Sequence, residues 1–297
     1  MPASCCRQTI IIFDWDDTLC PSSWIRANKK VLSFFKPAPT TEKYQKPLRE
    51  LQAAVEVLLK MSMKLGTVVI VTNAMDPWVD TWPHHGGQRA VGGKRRDVIS
   101  PETEETSCRN FLPSLLPLVS TLPVIYARSI FEQQGVDVAR REEITASDLF
   151  FLRSGRWKRE MARSPSGSGP TRAMPGMYAA NGQNRLEQVN VAFAQEIKDF
   201  YSRYQHQSWK NVISVGDSVF ERDAVRRVVL QRPTPQKKCR TKTLKLFDDP
   251  EIDELVAQVK VVYDVINVMV QYDGDLDIEI DEEDLKMDGP LLEKLRE

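Results

Sequence analysis

Residues 10–20 read IIIFDWDDTLC, an unbroken apolar run followed at once by three carboxylates, Asp14, Asp16 and Asp17. Four apolar residues in a row, three of them β-branched, suit a strand buried on both faces better than one with a solvated side. The carboxylates repel one another, so each must have a partner, and a metal ion or a phosphoryl group would supply one. Asp14 and Asp16 point the same way if the extended geometry continues past Phe13.

Working outward, short β-branched runs alternate with helical patterns, which predicts a parallel sheet covered by helices. TIIIFD, TVVIVT, LPVIYA, NVISVG and KTLKLF read as strands. KPLRELQAAVEVLLKMSMKLG carries Leu48, Leu51, Val55 and Leu58 at helical spacing and ends on Gly66, read as a C-terminal cap. SCRNFLPSLLPLV reads as helix interrupted by Pro113 and Pro117, and LEQVNVAFAQEIKDFYSRY as a further helix. Asp249 and Pro250 mark the start of a helix with Ile252, Leu255, Val259, Val262, Ile266 and Met269 on one stripe. Leu276, Ile278 and Ile280 alternate as in a terminal edge strand; a calcium loop there would need glycine at Ile278 and glutamate at Asp284.

The fold expectation is a single Rossmann-like, three-layer α/β domain over 1–297 with a central parallel sheet and a minimal cap. Two segments break the rhythm, 81–106 and 153–185, both rich in Gly, Pro, Ser and Arg and without hydrophobic period. The first reads as an irregular insertion, the second as an insertion or a degenerate cap, and a faulty gene model would also produce them.

Composition narrows the setting. With 41% hydrophobic and 28% charged residues the 297-residue chain reads as soluble and globular. No apolar run approaches the roughly 20 residues of a membrane span, and MPASCCRQTI does not resemble a signal peptide. Five cysteines without CxxC pairing point to reduced thiols, and a cytoplasmic location is expected, with the nucleus as the alternative. Lys plus Arg equals Asp plus Glu at 41 each, so charge gives no argument for nucleic acid. Arg226, Arg227, Arg232, Lys237, Lys238, Arg240, Lys242 and Lys245 form a basic stretch, read as a solvated face. HHGGQRAVGGKRR does not satisfy the GxxxxGK[ST] phosphate loop.

Ligands of an open parallel sheet bind beyond the carboxyl ends of its strands. Three strand ends here carry polar groups: Asp14 and Asp16; Thr72 and Asn73; Asp217 and Ser218, with Glu221 and Asp223 beyond. DWDDT, TNA and GDSVFERDA, in that order and at strand ends, resemble the first, second and fourth motifs of the haloacid dehalogenase superfamily of aspartate-nucleophile hydrolases. Within it the chain is most similar to protist and algal members, in SWKNVISVGDSVFERDA and SCRNFLPSLLP, and the resemblance covers the chain outside the two irregular segments.

The resemblance implies a Mg²⁺-dependent phosphatase in which Asp14 attacks phosphorus to form an aspartyl-phosphate and Asp16 is general acid and base. It implies Mg²⁺ on the Asp14 carboxylate, the Asp16 carbonyl and Asp217, with Thr72 and Asn73 binding the phosphoryl group. Glu221 would support the metal site from outside, and Trp15 would pack structurally. The family's phosphoryl-neutralising lysine is out of place: Arg185 stands at the expected helix start, Lys198 lies about three turns along it, and Lys210 abuts the wrong strand end. Lys158 is the expected substitute.

Two helices' worth of chain between the first two motifs leave no room for a large cap, and the resemblance implies that such an open site serves a phosphorylated macromolecule, such as a phosphoprotein. Two alternatives stand beside hydrolysis: a catalytically weak or inactive binding or scaffold protein, and a phosphotransferase using the same aspartyl-phosphate. Taken alone, DWDDT is also an ordinary strand-to-turn junction capped by Asp17 and Thr18, and Thr72-Asn73 is ordinary turn chemistry. Sequence specifies neither substrate identity nor oligomeric state.

Overall fold

The computed structural model describes residues 9–34, 36–74, 78–79, 106–127, 211–219, 222–225, 240–285 and 291. Its central strand, β1 (Thr9–Asp14), is buried along its whole length. β2 (Thr67–Thr72) pairs with β1 in parallel from Ile10↔Thr67 to Asp14↔Val71, and β4 (Asn211–Gly216) flanks the other side from Thr9↔Asn211 to Phe13↔Val215. β3 (Val124–Tyr126) lies outside β2, and β5 (Arg240–Lys245) and β6 (Leu276–Glu279) continue beyond β4. The six strands are all parallel in the order β3-β2-β1-β4-β5-β6, a Rossmann-like α/β sheet flanked by helices. Strand order reverses between β1 and β4, which opens a crevice at their carboxyl ends.

The pleat divides the core. Ile11, Phe13 and Trp15 join Val68, Ile70, Ile213, Val215, Leu244 and Leu246 in one hydrophobic cluster, whereas Ile10 and Ile12 are fully buried on the opposite face. α2 (Glu42–Leu65) and α5 (Ile252–Gln271) pack against each other over the first face. α2 turns Leu48, Leu51, Val55, Leu58 and Leu59 inward, and α5 turns in the whole stripe read from its sequence. Each such side chain contributes about 1.5–3 kcal/mol on burial.

Between β1 and β2 the described residues form α1 (Ser22–Ala27), a loop and α2. The SCRNFLPSLLPLV stretch breaks at Pro113 and becomes α3 (Ser107–Phe111), a 3-10 turn at Pro113–Leu115 and α4 (Leu116–Val119). Thr106, the last residue of the segment read as irregular, is the buried N-cap of α3, its hydroxyl accepting from Arg109 N at 3.2 Å.

Three local readings change. α2 begins at Glu42, a turn before the predicted Lys46, and carries Pro47 inside it. Gly66 is extended (φ −173°) and not left-handed: a Cβ there would lie 2.6 Å from the Thr9 carbonyl oxygen, so close approach to β1 demands the glycine. α5 is capped by a reciprocal Glu251–Glu254 box, with Glu251 N donating to Glu254 at 2.8 Å, and Asp249 sits before it at φ 53°.

The basic stretch also divides. Lys242, read as solvated, is fully buried and donates to Asn211 Oδ1 (2.8 Å), Tyr272 O (2.7 Å) and Met269 O. It thus places a cation on the terminal carbonyls of α5, where the helix dipole favours one. β6 is the edge strand its alternation predicted, with Ile280 buried just past its end. No helix among the described residues is long and apolar enough to cross a membrane.

Candidate active site

Asp14 closes β1 and Thr72 closes β2, one residue beyond the Asp14↔Val71 pair. Asp217 and Ser218 follow β4 directly, whose last pairing with β1 is Phe13↔Val215. Neighbouring strands are about 4.8 Å apart. The sequence-predicted Asp14, Asp16, Thr72, Asn73 and Asp217 are therefore gathered at the carboxyl ends of three adjacent strands, beside the point where strand order reverses. Lys158, Lys198 and Glu221 lie outside the described residues.

After Asp14 the chain makes a tight turn. Leu19 N and Cys20 N both donate to the Trp15 carbonyl (3.0 and 2.9 Å), and Asp17 N donates to Cys20 O at 2.8 Å. Asp17 takes φ 58°, a left-handed conformation that Asp tolerates better than most residues. Trp15 is fully buried and its Nε1 donates to Ser107 Oγ at 2.9 Å, the packing role expected of it.

The turn presents the Asp16 carboxylate to three donors from three parts of the chain. Oδ1 accepts from Ser22 Oγ at 2.5 Å and from Trp78 Nε1 at 3.0 Å, and Oδ2 accepts from Thr72 Oγ1 at 3.2 Å. Thr72 Oγ1 in turn accepts from Ala74 N at 3.0 Å. Ser22 and Trp78 were not singled out in the sequence. Ser22 sits at the first position of α1, and Trp78 lies six residues past Thr72, a spacing without periodic meaning outside a helix or strand.

Asp17 has a separate, structural role. Its oxygens accept from Ser23 N and Ser23 Oγ, both at 2.6 Å, so the side chain caps the first turn of α1. Ser23 Oγ also lies 2.6 Å from Asp249 Oδ1, joining this turn to the segment before α5. Burial raises the Asp17 pKa from 3.8 to about 6, opposed by Arg26 at 3.8 Å and by the Ser23 bonds, with Asp16 adding to the rise. The Cys20 thiol is pushed well above its usual pKa, chiefly by burial and then by Asp16.

The donors at the strand ends suit a hard divalent cation. The expected set is two carboxylates, Asp14 and Asp217, and the Asp16 carbonyl, all oxygen, which is the chemistry Mg²⁺ prefers, completed by water and substrate. No three His, Cys, Asp or Glu side chains cluster as metal ligands among the described residues. Beside them the Asn73 side-chain oxygen is buried with no hydrogen-bond partner among the described residues.

Two cations among the described residues after β4 and at the end of β5 are ion-paired. Lys245, at the end of β5, meets Glu279 at 3.2 Å and Asp248 at 3.7 Å; Arg222 meets Glu279 at 3.8 Å and Asp223 at 3.9 Å. Comparison of the chain with protein-family profiles, curated proteins and solved structures returned no match.

Proposed function

We propose that the chain is a Mg²⁺-dependent phosphomonoester hydrolase that works through an aspartyl-phosphate on Asp14. The observation that carries this reading is the convergence of Asp14, Asp16, Thr72 and Asp217 on the carboxyl ends of β1, β2 and β4, with Thr72 Oγ1 bonded to Asp16 at 3.2 Å. The motif resemblance of DWDDT, TNA and GDSVFERDA supports it.

In the first half-reaction an Asp14 oxygen forms a bond to phosphorus while the bond to the leaving oxygen breaks, that oxygen keeping the electron pair. Asp16 gives its proton to the departing oxygen. In the second, Asp16 takes a proton from water as the water attacks the acyl phosphate, which returns Asp14 and releases inorganic phosphate. Thr72 has one hydroxyl proton, and Ala74 N already occupies one of its lone pairs, so redirecting that proton from Asp16 would place it on a phosphoryl oxygen. Asn73 would offer its amide to the same group. Mg²⁺, held by Asp14, Asp217 and the Asp16 carbonyl, would offset the repulsion between carboxylates and phosphate.

The short α1–loop–α2 connection supports a phosphorylated macromolecule, such as a phosphoprotein, over a small enclosed metabolite. The thiols of Cys20 and Cys108 are buried and not joined in a disulfide, which supports a cytosolic or nuclear setting. The test is turnover of p-nitrophenyl phosphate with Mg²⁺. Wild-type protein should release phosphate and Asp14→Asn should not, because an amide cannot form the acyl phosphate; equal turnover by both would overturn the reading.

A further inference from the structure

Asp16 is held by side chains that the reaction itself does not require. Each carboxylate oxygen has two lone pairs. Ser22 Oγ and Trp78 Nε1 take both of those on Oδ1, whereas Thr72 alone bonds Oδ2 among the described residues. The carboxylate is thereby fixed in rotation, with Oδ2 on the side of the β2 strand end.

Trp78 is itself firmly placed. Its carbonyl accepts from Ser107 N (2.9 Å) and Ser107 Oγ (2.7 Å), and the following residue, Val79, donates its N–H to Tyr126 Oη at 3.0 Å. Its ring meets Phe34 edge to face with centroids 4.9 Å apart. Ser107 Oγ also accepts from Trp15 Nε1, so a continuous chain of bonds runs from Trp15 through Ser107 and Trp78 to Asp16. The indole N–H can only donate, and its acceptor is the residue assigned to proton transfer.

Resting on the phosphatase reading, we propose that Trp78 and Ser22 are positioning residues that clamp Oδ1 of Asp16 so that Oδ2 delivers the proton to the leaving oxygen. The clamp matters in proportion to the need for that proton. An alkyl phosphate expels a strongly basic alkoxide and depends on the acid, whereas p-nitrophenyl phosphate expels a stable phenolate and depends on it little. A residue that merely supports the fold would slow both esters alike.

The experiment measures kcat/KM, which reports the step that expels the leaving group, for phosphoserine and p-nitrophenyl phosphate with Mg²⁺. Trp78→Phe keeps the ring and removes the donor; Ser22→Ala removes the other donor, and Ser22→Thr restores a hydroxyl. Both donor-deleting variants should lower the phosphoserine to p-nitrophenyl phosphate ratio by about tenfold or more, part of the 10²–10⁴ a general acid supplies. Ser22→Thr should recover the ratio. An unchanged ratio in both Trp78→Phe and Ser22→Ala overturns the clamp while leaving the phosphatase reading intact. If Trp78→Phe does not fold, Ser22→Ala and Ser22→Thr decide by the same ratio. A wild-type protein that turns over neither ester overturns the phosphatase reading and the clamp with it.

Discussion

The Trp78 carbonyl receives two hydrogen bonds from one residue, Ser107, whose backbone N lies at 2.9 Å and whose Oγ lies at 2.7 Å. Cys108 N adds a bond to Val79 O at 3.4 Å. The described residues on either side of 80–105 are thus bonded to each other, Trp78 and Val79 to Ser107 and Cys108, next to the Asp16 clamp.

That closure predicts that residues 81–105 can be replaced by a short Gly-Ser turn. Loop closure entropy changes by about 0.6 kcal/mol per doubling of length, so cutting this connection to a quarter of its length should alter stability by only about 1 kcal/mol, in the stabilising direction. Urea unfolding of the two proteins checks this. A cooperative transition lost on excision would mean that the segment contributes core contacts.

Lys242 supplies a second prediction. Its ammonium satisfies Asn211 Oδ1 and the carbonyls of Met269 and Tyr272 where α5 ends. Lys242→Met keeps the stem but strands two buried acceptors, Asn211 Oδ1 and Met269 O, and a part-buried one, Tyr272 O, and should cost about 2 to 4 kcal/mol. Lys245→Met, at the partly charged rim of the same strand, should cost clearly less. Chemical denaturation of both variants tests the order.

These cases show where the sequence is legible. The parallel sheet and the strands β1, β2 and β4 were readable from apolar runs ending in polar groups, because burial and strand-end chemistry are both local in sequence. The burial of Lys242 was readable from the pleat, since it shares a face with Leu244 and Leu246, but its neighbours Arg240 and Lys245 masked the alternation. Gly66 signalled a helix end correctly while its cause, contact with Thr9, is tertiary. Ser22 and Trp78 carried no signal, because what makes them partners of Asp16 is the packing of α1 and the segment before α3, which no spacing encodes.

Asp17 predicts a pH dependence of stability. Its folded-state pKa, about 6, lies above the ordinary 3.8, so the folded protein holds this proton more tightly than the unfolded chain. The stabilisation is complete below the ordinary value and is lost as pH rises through about 6, a change of up to about 3 kcal/mol. Asp17→Asn keeps the left-handed turn and removes the titration. The stability of wild type minus that of Asp17→Asn should therefore fall between pH 4 and pH 7 in metal-free buffer; a constant difference would show that Asp17 does not titrate abnormally.

Asp217 gives the last prediction. It follows β4 directly, at the end of the strand beside β1, and its place in the proposed metal set rests on that position and not on any part in the core. A cation that binds only the folded chain stabilises it by about 2.7 kcal/mol at a hundred times its dissociation constant. Wild-type protein should therefore melt several degrees higher in excess Mg²⁺ than in chelator. Asp217→Asn removes one carboxylate of two while preserving size, and should lose most of that shift yet melt close to wild type in chelator, since no apolar contact is deleted. Asp14→Asn should behave alike, because both side chains are assigned to the same ion. Lys245→Met, whose partners are Glu279 and Asp248, should keep the full shift. If Mg²⁺ raises the melting temperature of Asp217→Asn as much as that of wild type, Asp217 holds no metal and the phosphate charge must be met by other groups.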